Sequence, residues 1–156
     1  MTKPSERLGQ LNLSLPPVAT PVGAYVPAVR LGELLMLSGQ IPMLNGQVVY
    51  SGKVGATDGA TLEQAQAAAR TCTLNALAVA AQTIGGIDKI AQVVKVVVYV
   101  AAAPGFTDVH KVANGASDLL ADIFGEAGKH ARAAVGVAEL PLNSSVEVDV
   151  TFCIKG

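Results

Sequence analysis

The run from Val93 to Ala103 is β-branched and almost unbroken in its hydrophobicity, and it constrains the fold more than any other segment. Such a run predicts a central β-strand. It is buried on both faces, or packed on helices on one face and in an assembly on the other. It is too short for a bilayer span and it carries Lys95. Pro104-Gly105 ends it. The 156-residue chain is 51% hydrophobic and only 15% charged, where about 25% charged is usual. Its surface is therefore either rich in small neutral residues or partly covered by copies of itself. That much apolar content excludes disorder. Eleven Lys and Arg against twelve Asp and Glu, with no basic cluster, argue against nucleic acid as a partner. One domain over residues 1–156 is expected, with 1–20 as an N-terminal extension.

Local signals place the remaining elements. Pro4 and Ser5 open a short helix to about Leu11, marginal on its own. Ala24 to Val29 predicts a strand, with Pro27 putting it at an edge or a bulge. Leu34 to Leu37 predicts a strand stopped by Ser38-Gly39, and Asn45-Gly46 before Gln47 to Tyr50 predicts a hairpin. Thr61-Leu62-Glu63-Gln64 fits a capping box for a helix ending near Ile84 at Gly85-Gly86. A second helix is expected from about Ala113, or Asn114, to Phe124, because Asn114-Gly115 is an awkward pair inside a helix. Strands at Ala131–Ala138 and Ser145–Ile154 finish the chain. The order suits one sheet with both helices on one face, an α+β fold. Cys72 and Cys153 lie in apolar segments and are expected as buried, reduced thiols. MTKPSERLGQ has no apolar leader signature, so a cytoplasmic location is expected.

The candidate chemistry sits in the last two strands. Alternation puts Arg132, Ala134, Gly136 and Ala138 on one face. Small neighbours would leave a hollow in which a guanidinium could grip a carboxylate; pairing with a protein carboxylate is an equal alternative. In the last strand Ser145, Glu147, Asp149 and Thr151 oppose the valines. A wet face is the plain account, favoured for Asp149, and an acid/base role beside Arg132 is the alternative for Glu147. Spacing does not decide between them. His110 and His130 have no ligand spacing, so no metal site is expected. Tyr25 taken alone predicts packing or a hydrogen-bonding wall.

At these residues the sequence resembles the Rid family of reactive intermediate/imine deaminases, also called YjgF-like or L-PSP endoribonuclease-like. The resemblance runs from about Val22 to Phe152. Gly23-Ala24-Tyr25, Leu34 through Ser38-Gly39-Gln40-Ile41-Pro42, and Phe124-Gly125-Glu126 carry it, and above all Ala131-Arg132 with Val137-Ala138-Glu139-Leu140-Pro141 and Val146-Glu147-Val148. It implies a chorismate-mutase-like α+β fold, a mixed sheet with two helices on one face, assembled as a homotrimer with sites between subunits. The implied activity is hydrolysis of enamines and imines of small amino acids to 2-keto acids and ammonia, with no cofactor and no metal. By position, Arg132 corresponds to the carboxylate-binding arginine and Glu147 to the residue activating water. Tyr25, Ser38 and Gly39 line the cleft, and Ala134 supplies a backbone N–H. Ala133, Ala134, Gly136, Glu139 and Ser117 depart from the family pattern and mark a less-studied branch. Two other functions stay open: a non-catalytic trimer binding a carboxylate metabolite, and an endoribonuclease.

Overall fold

The computed structural model describes residues 1–156. Helix α1 (Pro4–Gln10) is followed by β1 (Ala28–Leu31), β2 (Leu34–Leu37), β3 (Met43–Leu44) and β4 (Gln47–Val48). Helix α2 (Leu62–Ile84), β5 (Ile90–Ala101), α3 (Val109–Phe124), β6 (Ala131–Val137) and β7 (Val146–Ile154) complete the chain. Five strands form one mixed sheet in the order β1-β2-β7-β5-β6, and β3 and β4 pair separately. The predicted central strand is β5, which lies between β7 and β6 and begins three residues before Val93. It pairs antiparallel with β7 and parallel with β6. A parallel neighbour requires a long crossover, and α3 supplies it.

Local chemistry accounts for the element ends. Thr61 caps α2: its hydroxyl accepts from Gln64 N at 3.1 Å while Gln64 Oε1 accepts from Thr61 N at 3.0 Å. At the other end Gly85, at φ 82°, closes the helix in the left-handed conformation. Asn45 and Gly46, at φ 52° and 77°, make the turn between β3 and β4.

Two starts differ from expectation by about a turn's worth of chain, four residues each. Strand β1 starts at Ala28, so Ala24 to Pro27 lie outside it. Pro27 has no N–H to give a ladder, and only its carbonyl is used, by Ser38 N at 2.8 Å. Helix α3 starts at Val109, a full turn early, and takes Asn114-Gly115 into its interior. A Cβ on Gly115 would collide with the Gln66 carbonyl of α2. The glycine is there because two helices touch, and its helix-weakening cost is offset by that contact.

Both long helices cover one face of the sheet. Val146, Val148, Val150 and Phe152 of β7 and Val96, Val98 and Val100 of β5 point to that side, all fully buried. Leu119, Leu120 and Ile123 of α3 and the alanines of α2 meet them in one continuous core. The extension belongs to this packing. Leu8 is buried, Leu13, Leu15 and Val18 lie against the core, and Ser5 donates to Asp88 through its hydroxyl (2.7 Å) and its N–H (2.8 Å).

The other face carries no helix. Register places Val29, Leu31, Leu34, Met36, Tyr99, Val135, Glu147 and Asp149 there. Of these, Val29, Leu34, Met36 and Val135 are 39–50% exposed and Leu31 67%. Cys72 is buried as expected, but Cys153 is only half-buried, because it alternates onto this bare side. No helix is long and apolar enough to cross a membrane.

Candidate functional site

Arg132 stands on β6, the edge strand, opposite Val96, so its side chain leaves the sheet on the helix-covered face. There α3 receives it. Nη1 donates to Asn114 Oδ1 at 2.8 Å and to Ser117 Oγ at 3.1 Å, and Nη2 makes a long bond of 3.4 Å to the His110 carbonyl. Asn114 and Ser117, one turn apart, share a helix face. All three partners are neutral, so the alternative of a protein carboxylate is not realised within the chain. Both Nη1 hydrogens are used, and Nε has no partner. Nε and one Nη2 hydrogen are therefore left without a partner, and the fork they belong to matches a planar carboxylate.

A residue the sequence left idle completes this corner. His130 Nδ1 lies 2.6 Å from the Gly128 carbonyl, and its Nε2 lies 2.9 Å from Ser117 Oγ. A carbonyl can only accept, so Nδ1 carries the hydrogen, and in the tautomer with Nε2 bare the Ser117 hydroxyl donates to Nε2. Ser117 then turns a lone pair to Arg132. The sequence signal for His130 was only its place two residues before Arg132.

Of the small residues expected to leave a hollow around Arg132, Ala134 is half-buried and Gly136 is exposed. Ala134 packs against the core, and a Cβ on Gly136 would sit 3.4 Å from Ala102 and 3.8 Å from Val109. A methyl at Gly136 would therefore meet its neighbours only at ordinary contact distances.

Glu147 occupies the opposite face. It pairs with Tyr99, which pairs with Val135, all on the bare side. Its carboxylate lies against Gly39, where any Cβ would overlap Glu147 Oε1. Burial pushes the Glu147 carboxyl above its ordinary 4.5, and the charge of Asp149 adds to this. Burial alone raises Asp149, which is half-buried rather than fully wet.

Ser38 and Gly39 follow β2 and are tied by Gln40, which exchanges backbone hydrogen bonds with Val148 at 2.8 and 2.9 Å. Ser38 Oγ donates to the Val26 carbonyl at 2.7 Å. Tyr25, Ser38 and Gly39 line one cavity of about 560 Å³.

The candidate residues thus fall into two groups. Tyr25, Ser38, Gly39 and Glu147 cluster at the β2–β7 side, while Arg132 and Ala134 belong to the β6–α3 corner. Within one protomer Arg132 and Glu147 point to opposite faces, so the alternative of an acid/base role for Glu147 beside Arg132 is not formed inside a single chain. No group of three or more His, Cys, Asp or Glu could hold a metal ion.

Residues 5–153 match the family model described as "YjgF/chorismate_mutase-like, putative endoribonuclease". The chain belongs to this family. Protein TCP17 of Trypanosoma cruzi is 43% identical over 143 residues, covering 91% of this chain and 88% of that protein. A crystal structure from Shewanella oneidensis MR-1, given the same "putative endoribonuclease" description, superposes with a TM-score of 0.93 at 37% identity, covering 98% of this chain and all of that one. A Rid-family protein of unknown function from Yersinia pestis shares the fold at 24% identity, with a TM-score of 0.62 over 88% of this chain and 93% of that chain. The α+β architecture is therefore the chorismate-mutase-like YjgF fold.

Proposed function

We propose that this YjgF-family chain is a hydrolytic deaminase of enamine/imine intermediates of amino acids, working at clefts between the subunits of a homotrimer. The observation that carries the reading is Arg132, with its Nη1 side held by neutral acceptors and its Nε/Nη2 fork engaged only by the long bond from Nη2 to the His110 carbonyl. A substrate carboxylate on that fork would gain charge-assisted hydrogen bonds of about 1.5–3 kcal/mol. Glu147 supplies the second group. A carboxyl raised by burial is a better base toward water than an exposed one.

The chemistry needs little more. Water adds its oxygen to the carbon of the protonated imine as one of its protons passes to Glu147, giving a neutral carbinolamine. Glu147 returns that proton to nitrogen, and the C–N bond breaks: ammonia leaves as the hydroxyl becomes the keto group and gives its proton to the Glu147 carboxylate, which releases it to water. Placement does most of the work because the imine carbon is already electrophilic. Since Arg132 and Glu147 face apart, a substrate held by both lies between two copies. The apolar residues on the bare face support such an assembly.

One observation favours a second reading, a non-catalytic trimer that binds a carboxylate metabolite. Ala133 and Ala134 beside Arg132 supply no polar side chain. The relatives' endoribonuclease description gains no support from a net charge of -1 without a basic cluster.

Coupling the protein to an amino-acid dehydratase and following keto-acid release tests the assignment. Faster release than in buffer is expected, with about a 10- to 150-fold loss of kcat/KM in Arg132→Ala. No acceleration, or a variant equal to the wild type, would overturn it. Stabilisation by a keto acid without turnover would select the binding trimer, and a monomeric mass would remove the shared cleft.

A further inference from the structure

The cavity beside Ser38-Gly39 has walls of unusual uniformity. The N-terminal segment from Pro16 to Val22 forms one side, the β3–β4 hairpin and Ile41 another, and Asn75 and Val79 of α2 the floor. Not one of its 21 lining residues is Asp, Glu, Lys, Arg or His. At about 560 Å³ it falls in the range of small-molecule sites, and a three- or four-carbon imino acid would leave most of it unfilled.

Six lining side chains carry hydrogen-bonding groups (Thr20, Tyr25, Ser38, Gln40, Asn45 and Asn75), and Asn75 is the only buried one. The residue is 9% exposed, and its Nδ2 donates to the carbonyls of Ile41 (3.2 Å) and Met43 (3.0 Å). Two carbonyl partners fix the amide nitrogen on that side and consume both its hydrogens. Oδ1 is left with no protein donor. It is not sealed in the core either, where the one enclosed polar side-chain atom without a partner is Ser145 Oγ. A buried acceptor in a mostly apolar, uncharged cavity selects a neutral group that brings a hydrogen-bond donor.

We propose that this cavity binds a neutral, largely apolar ring bearing one N–H or O–H, donated to Asn75 Oδ1. Resting on the deaminase reading, the ring is the substrate's side chain: Gly39 lines the cavity and also touches Glu147, so the cavity opens beside the reacting end. The preferred imines are then those of bulky, aromatic amino acids. The Pro16–Val22 segment, from the longer N-terminus, acts as the specificity wall.

Titration calorimetry with indole, a probe without a carboxylate, tests the site apart from catalysis. Indole is expected to bind, and benzothiophene, of similar shape but without the donor, about 3- to 10-fold more weakly. Asn75→Leu should erase that difference but also frees the Ile41 and Met43 carbonyls. Ala19→Trp, which fills the cavity from an exposed position, is the second variant and should weaken indole at least about tenfold. No indole binding, equal binding of the two probes, or binding untouched by Ala19→Trp would each overturn the assignment. In the coupled assay the imine of tryptophan should exceed that of alanine in kcat/KM, and the reverse order counts against the side-chain role. Turnover of the alanine imine without indole binding would remove the cavity assignment alone. Indole binding with no imine turned over would leave the cavity standing and remove the deaminase.

Discussion

The two faces of the sheet are built from the same strands yet serve different ends. On the helix-covered face, Val146, Val148, Val150 and Phe152 are fully buried and carry the packing. On the bare face, the alternate residues of the same strand, Glu147, Asp149, Thr151 and Cys153, are half-buried, with exposed Met36 and Leu34 beside them. One face stabilises the protomer, and the other is free to hold chemistry and to meet a second copy. Period-two alternation lets one strand do both.

The contrast can be broken most sharply by truncation. Phe152→Ala should cost about 3–5 kcal/mol in denaturant unfolding, since a large side chain leaves a closed core. Met36→Asp on the bare face should cost far less in a dilute protomer and instead lower the mass of the assembly in light scattering. Equal costs at the two positions would abolish the distinction. Gly115→Ala ranks next. Its methyl has no room at the Gln66 carbonyl, so a loss of about 1–3 kcal/mol is expected, despite the better helix propensity of alanine.

The smallest effect sharpens the comparison by its sign. A carboxyl raised on folding is ionised against its environment, so above its raised value it costs stability. The cost fades as the pH falls through that value toward the ordinary 4.5. Glu147→Gln should therefore raise Tm at neutral pH by no more than about 2–4 °C, with the gap closing in acid. A variant less stable at neutral pH, or a gap that widens in acid, would contradict the burial of Glu147.

Much of this architecture was legible because its causes are local. Thr61 and Gln64 satisfy each other, Asn45-Gly46 accepts left-handed backbone, and Leu34–Leu37 needs only its own composition. What escaped depends on distant partners. Asn114-Gly115 looked like a helix boundary because the reason for the glycine lies in α2, at Gln66. His130 looked idle because its role exists only where α3 presents Ser117. Whether Arg132 shares a face with Glu147 was unreadable for a related cause. Both are set through β5, where Val96 aligns with Arg132 and Tyr99 with Glu147. The small residues of β6 mark neither face as the core.

Those small residues also set a rank order of local stability. Strand β6 offers the core little beyond Ala134, holds one neighbour, and reaches it by the α3 crossover. Hydrogen bonds rather than buried side chains keep it in place, so its amides should exchange with deuterium sooner than those of β5 or β7. Arg132 rides on this loosely moored strand. Any carboxylate captured there also clamps the strand, and a saturating ligand should slow its exchange in proportion to occupancy.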